Sequence, residues 1–321
     1  MFTMAYDIQI GDYRLQMLDN VVVKKSVENL ADTAIITLPG AVCNRALQIE
    51  DKIGEGDKVC IRFGYNPEVE KLPEEFTGYV ESIAVDNGSI RITCEDELYR
   101  FRANLENKVL PEVSVKQLLQ HVINELGDFN FSCDYDFTYD TFTIYNMTGL
   151  DVLKKVQEET AANIYLQGNT LHIHPQYSQI DKKVIYDFEI NVEKSDLVYK
   201  DANKRKLMVV VEGTDKQGKS IQVMRGVEGG DKISFKRESI SDIQSLENFA
   251  EEILKAKWYS GYEGSITGWL IPYIIPTYAA EIRDADYPYK NGIYYVVSVE
   301  TTFSQRGGVR KITLGKKIQD G

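Results

Sequence analysis

The sequence predicts a mainly β chain with α/β insertions: two similar antiparallel β-barrels plus small α+β domains. Three observations carry this. Ile53–Glu95 reads as three successive strands, Val59–Phe63, Phe76–Val85 and Ile90–Cys94. They are separated by Gly56-Asp57 before the first and by Asp86-Asn87-Gly88 before the last, and an Asn-Gly pair between apolar runs is a strong hairpin signal. A looser copy returns in Pro276–Lys317, where Ile282-Arg283 answers Ile61-Arg62, Val297-Ser298-Val299-Glu300 answers Val80-Glu81-Ser82-Ile83, and Ile312-Thr313 answers Ile92-Thr93. Helical periodicity is confined to three stretches lying between these copies.

In chain order, Tyr6–Ile10 and Arg14–Val23 flank the Gly11-Asp12 turn, and Ala34–Leu38 is a short strand stopped by Pro39-Gly40. Short strands at this spacing predict a small barrel or sandwich. At Pro111 the period changes. Ser114 and Gln117 form a capping box ahead of Val115, Leu118, Leu119, Val122, Ile123 and Leu126, and Gly127 ends the helix. Phe129–Tyr145 reads as strand-loop-strand. Thr148 and Asp151 cap a second helix whose inner face is Leu150, Leu153, Val156 and Thr160. Ala161–Gln167 and Thr170–His174 form a hairpin about Gly168-Asn169. Leu207–Glu212 reads as a central strand, and Asp215–Gly218 as a turn. A third helix is expected from Ser241 to Trp258, capped by Ser241, with Ile243, Leu246, Phe249 or Ala250, Ile253 and Leu254 inward. The resulting division is a first β-barrel at 1–102, an α+β insertion at 103–178, a second β-barrel from 179–238 with 262–321, and a helical insertion at 239–261.

Composition narrows the function. A chain of 321 residues exceeds one compact core. Its 43% hydrophobic and 27% charged residues are those of a globular protein. The net charge of −12 argues against holding duplex nucleic acid or an anionic membrane face. Cys43, Cys60, Cys94 and Cys133 show no CxxC spacing and read as small buried hydrophobes. There is no secretory leader pattern and no apolar run long enough for a membrane-spanning helix.

No catalytic, cofactor-binding or metal-binding residue is expected. Nucleotide-binding glycine loops, nucleophile elbows and HExxH are all missing. Asp134, Asp136 and Asp140 lack the spaced ligands and closing Glu of a calcium loop. His172 and His174 share one face of a strand with no third ligand nearby. Glu74-Glu75 and Glu158-Glu159 are chain neighbours, which rarely converge on one bond. A Tyr-rich β chain with 49 carboxylates also suits a carbohydrate-binding or carbohydrate-cleaving module, and that alternative stays open.

Tyr145–His174 resembles a segment of baseplate hub proteins of contractile tails, of the late-control-D type in phages and the N-terminal hub region of VgrG spikes. The matching features are the polar cap Thr148, the helix with Leu153 and Val156, the Glu158-Glu159 pair and the following hairpin. Gly78-Tyr79-Val80-Glu81-Ser82-Ile83 resembles the first barrel of the same family. The family glycine after the helix is Ala161 or Ala162 here. The resemblance implies a homotrimer whose six barrels form a ring, joining a six-fold tail tube protein to a three-fold spike. It implies assembly in the bacterial cytoplasm, a place in the virion tail baseplate, DNA passing through without specific binding, and no membrane anchor. A hub of a type VI-like injection system is the alternative within the class. Because the second β-unit ends near Lys317 and four residues follow, the spike is expected to be a separate polypeptide.

Overall fold

The computed structural model describes residues 3–39, 52–65, 68, 71–86, 88–135, 137–215, 217–237 and 240–319. Cys43, Asp136 and Asn87 lie outside them. The first β-unit contains β1 (Ala5–Ile10), β2 (Tyr13–Arg14), β3 (Asn20–Ser26), β4 (Thr33–Leu38), β5 (Lys58–Gly64), β6 (Glu74–Asp86) and β7 (Ser89–Glu95). Alternating burial in β3 and β4 shows why these runs are strands: Val21, Val23, Ala34, Ile36 and Leu38 face inward while their neighbours do not. The insertion follows with β8 (Lys108–Ser114), α1 (Val115–Leu126), β9 (Asn130–Cys133), β10 (Thr138–Ile144), α2 (Gly149–Thr160), β11 (Asn163–Gln167) and β12 (Thr170–His174). Next come β13 (Lys183–Asp187), β14 (Val192–Lys200), β15 (Leu207–Thr214), β16 (Ser220–Gly226), β17 (Asp231–Arg237) and α3 (Ile243–Lys257). The chain closes with β18 (Gly261–Trp269), β19 (Ala279–Arg283), β20 (Gly292–Ser304) and β21 (Gly307–Gln319).

The two β-units merge into one 13-stranded sheet, ordered β14-β18-β21-β20-β3-β4-β7-β6-β5-β1-β2, with β19 on β20 and β13 on β19. Each unit has its own core. Ile8, Val21, Ile36, Val59, Ile61, Val80 and Ile92 fill the first. Tyr186, Tyr262, Ile266, Ile282, Tyr294, Val296 and Ile312 fill the second.

The register shows the duplication. In the first unit Val80 faces Cys94, Glu81 bulges, Ser82 faces Thr93 and Ile83 faces Ile92. In the second Val296 faces Leu314, Val297 bulges, Ser298 faces Thr313 and Val299 faces Ile312. Ile61 faces Phe76, and Ile282 faces Gly292, each six residues before the equivalent serine. The pairing order β3-β4-β7-β6-β5 is repeated as β14-β18-β21-β20-β19. The register aligns Ser82-Ile83 with Ser298-Val299, as the repeat of these two pairs predicts, and each strand bulges one residue before its serine. The outer strands differ, since β1 runs antiparallel to β5 while β13 runs parallel to β19.

Other elements depart from the expectations. Residues 207–237 are not part of the second β-unit. They form a separate three-stranded sheet, β16-β15-β17, and Val209, Val211, Val223, Leu246 and Phe249 share a core with Leu118, Val122, Leu153 and Ile164. A continuous apolar strand such as β15 reads alike in a barrel or under a helix, so period does not discriminate. α3 therefore covers this sheet and is not the lone insertion expected at 239–261. It is capped by Asp242, which accepts from Ser245 N at 2.8 Å, rather than by Ser241, and Ile243 is 55% exposed instead of inward. Phe129–Tyr145 is strand-loop-strand as expected, but its two strands do not pair with each other: β9 runs parallel to β12, and β10 pairs β8. Pro111 lies inside β8, opposite Thr141. The capping boxes Ser114–Gln117 and Thr148–Asp151 and the Gly127 end are present as expected. Among the described residues no helix is long and apolar enough to cross a membrane.

Candidate assembly site

The functional question falls on the seam where the two β-units meet, because a duplicated unit works as one body only if that seam is rigid. Backbone pairing supplies the first part: β20 lies antiparallel to β3 from Ser298 opposite Ser26 to Ser304 opposite Asn20. Side chains supply the rest. Phe303 of β20 stacks on Phe63 of β5 at 4.7 Å between ring centroids, and Leu270 joins Phe303 in the first unit's core. Tyr65 donates to the Gly308 carbonyl at 3.2 Å, and Tyr273 to the Glu74 carbonyl at 3.2 Å.

At the centre sits a buried ion pair. Ile61 faces Phe76 but Arg62 faces Glu74, so Glu75 is the extra residue of a β-bulge. Bulges re-aim side chains, and this one sends Glu75 into the seam, where it is 1% exposed. Arg310 of β21, also 1% exposed, grips it with both terminal nitrogens, one to Glu75 Oε2 at 3.0 Å and the other to Oε1. The same guanidinium donates to Thr301 Oγ1 at 2.9 Å and to the Leu270 carbonyl at 3.0 Å, with the Tyr273 ring 4.8 Å away. A buried charge is tolerated when paired and fully hydrogen-bonded. This pair spans the two units, so it is satisfied only when they are docked.

Beside the seam, a cleft of about 160 Å³ is lined by residues including Ser26, Asp32, Phe76, Asp96, Tyr165 and Thr277. Two carboxyls meet there. Asp96 Oδ2 accepts from Asp32 N at 3.0 Å, Asp96 Oδ1 from Leu98 N at 2.9 Å, and Asp32 Oδ1 from Ser26 N at 3.0 Å. Burial raises the Asp32 carboxyl to about 6, and burial with the neighbouring Asp32 charge raises Asp96 well above its ordinary range. Their oxygens are directed at backbone amides, tying the β3–β4 turn to the turn after β7. Sequence reading missed both this pair and the Arg310–Glu75 pair, whose members are 64 and 235 residues apart.

No protein-family model matches the chain, and no curated protein matches it. Solved structures do. A 43 kDa tail protein of a Shewanella oneidensis prophage matches with TM-score 0.67 at 13% identity, over 97% of this chain and 98% of that one. A Neisseria meningitidis tail protein matches with TM-score 0.68 at 10% identity, over 98% and 97%. The chain has the tail-protein fold. An Escherichia coli component of the type VI secretion system, described as structurally similar to bacteriophage T4 tail proteins gp27 and gp5, matches with TM-score 0.59 at 10% identity, over 98% of this chain and 79% of that one.

Within this tail-protein fold, the residues weighed as alternatives fall apart from one another. Among the described residues no three His, Cys, Asp or Glu side chains gather as a metal site. His174 is held by Tyr165 Oη and the Pro175 carbonyl, each at 2.9 Å, and His172 stacks on Tyr165 at 5.2 Å. Burial lowers both imidazoles, so both are neutral at pH 7. Asp140 accepts from Ser241 N at 3.0 Å. Glu74 points outward, with Arg62 3.6 Å away, while Glu75 points inward. The Glu158 and Glu159 carbonyls receive Arg237 of β17 at 2.9 and 3.0 Å, which fastens the β16-β15-β17 sheet to the end of α2. Cys60 and Cys94 are free thiols, and the Cys133 thiol donates to the Tyr135 carbonyl at 3.7 Å.

Proposed function

We propose that this chain is a structural hub of a phage-type tail baseplate, a homotrimeric adaptor that joins a six-fold tail tube to a three-fold spike and performs no catalysis. The carrying observation is the duplication, which holds residue by residue through Ser82/Ser298, Ile92/Ile312 and Ile61/Ile282. Three chains with two like units each present six similar units at one level, while everything unduplicated remains three-fold. The insertion layer, which has no copy, is where three-fold contacts belong. The tail proteins that share the fold support the reading, and the Escherichia coli match supports a second one, the hub of a type VI-like injection system. Assembly would take place in the bacterial cytoplasm, with the tube and spike proteins as partners.

Mass in solution tests the reading. Light scattering at high concentration should give three times the 36.6 kDa of one chain. Co-expression with the products of neighbouring genes should yield a complex containing that trimer. A protein that stays monomeric alone and with those products, and that binds glycans on an array, would replace the hub by the carbohydrate module.

A further inference from the structure

If the chain is a trimer, as proposed above, two surfaces of each protomer must meet those of its neighbours to close the ring. Inside one chain the two units are joined by a single ladder, β20 of the second unit on β3 of the first. The duplication assigns each of these strands a counterpart. β6 is the counterpart of β20. Through β4 and β18, the registers Val21–Ile36 and Ser195–Ile266 make β14 the counterpart of β3. The internal joint therefore has an unmade twin, β6 against β14.

Both halves of that twin are open. β20 is paired with β19 over its first residues and with β3 over Ser298–Ser304 on the same flank. β6 is paired with β5 only through Tyr79, so among the described residues Ser82–Asp86 has no partner on that flank. Among the described residues β14 pairs only with β18 and stands at the end of the sheet. Within one chain the two edges are seven strands apart along the sheet.

We propose that β6 of one protomer pairs antiparallel with β14 of a second copy of this chain, continuing the sheet around the trimer. The register follows from the internal joint. Thr301 opposite Val23 becomes Val85 opposite Leu197, Glu300 opposite Lys24 becomes Ala84 opposite Val198, and Val299 opposite Lys25 becomes Ile83 opposite Tyr199. An independent observation agrees with it. Val85, Val198 and Tyr199 are exposed at 62%, 63% and 53%, unusual for β-branched and aromatic residues on an open sheet edge. The transferred register sets apolar residues opposite apolar ones at three successive positions, where the internal joint has Lys24 facing Glu300. The contact is head-to-tail, so it closes into a ring only when every protomer offers both edges.

Three measurements test this on the full chain. In the variant Val85→Cys with Leu197→Cys, mild oxidation should give covalent species up to the trimer on a non-reducing denaturing gel, because directly opposed strand residues lie within disulfide reach. Each single variant should give none beyond the wild-type background. Tyr199→Pro and Val85→Pro each remove an edge donor, and each alone should have the mass of one chain. Mixed in equal amounts they should form a heterodimer and nothing larger, since one intact β6 edge and one intact β14 edge remain. A wild-type trimer whose proline variants stay trimeric, or whose double-cysteine variant gives no cross-link beyond the single variants, overturns the edge pairing and leaves the trimer standing. A wild type that is monomeric overturns both. If a proline variant does not fold, judged by far-ultraviolet circular dichroism, Val198→Lys serves in its place, and the cross-link decides the register.

Discussion

At the residue scale, the seam is most sensitive at Glu75 and Arg310. Removing one partner of a buried pair leaves the other charge unpaired in a dry site, which costs about 3–5 kcal/mol. Glu75→Gln should therefore lower unfolding stability by about that much in a denaturant titration, although the side-chain volume barely changes. Replacing Glu75 and Arg310 together by Leu and Met should recover much of the loss, because the desolvation penalty goes with the charges. Asp32 acts through pH. Its folded-state value of about 6 lies above that of an ordinary carboxylate, so between about pH 4 and 6 the folded chain holds the proton more tightly than the unfolded chain. Stability from this group is greatest below that window and is lost as pH rises through it, by at most about 1.4 kcal/mol per pH unit. Asp32→Asn keeps an oxygen for Ser26 N and should flatten the fall of melting temperature over that window. An unchanged slope would place the pH dependence on other groups.

At the scale of elements, the helices carry complete local signals. Thr148 accepts from Asp151 N at 3.1 Å, and Asp151 returns a bond to Thr148 N at 2.9 Å. Those bonds hold the Asp151 carboxylate below its ordinary value. Thr148→Ala should cost about 1 kcal/mol in chemical unfolding. A loss under 0.3 kcal/mol would mean that tertiary packing alone fixes the start of α2. The bulges at Glu75, Glu81 and Val297 are the strand counterpart. One aims Glu75 into the seam; the other two put Ser82 and Ser298 at matching places in β6 and β20.

At the scale of the whole molecule, the net charge of −12 sets the behaviour toward nucleic acid. If three such chains form the proposed ring, that charge is multiplied, and a channel passing DNA would be served by repelling phosphate. Gel-shift titration with duplex DNA at physiological salt should show no binding in the micromolar range. Tight binding would count against a passage for DNA and against acidic residues lining it.

The sequence by itself determined the local elements and the fact of repetition. Turn glycines, capping boxes and apolar periods act over a few residues, so Ser114–Gln117, Thr148–Asp151 and the Gly168-Asn169 hairpin were legible. Repetition of Ile61-Arg62 and Ile92-Thr93 was legible because equivalent core positions demand equivalent side chains. Tertiary structure alone decided the partners. Whether β15 lay in a barrel or beneath α3, that β9 chose β12 over β10, and that a bulge turned Glu75 toward Arg310 depend on contacts between residues far apart in the chain. Such contacts leave no local period, because burial on both faces looks the same whichever neighbour provides it.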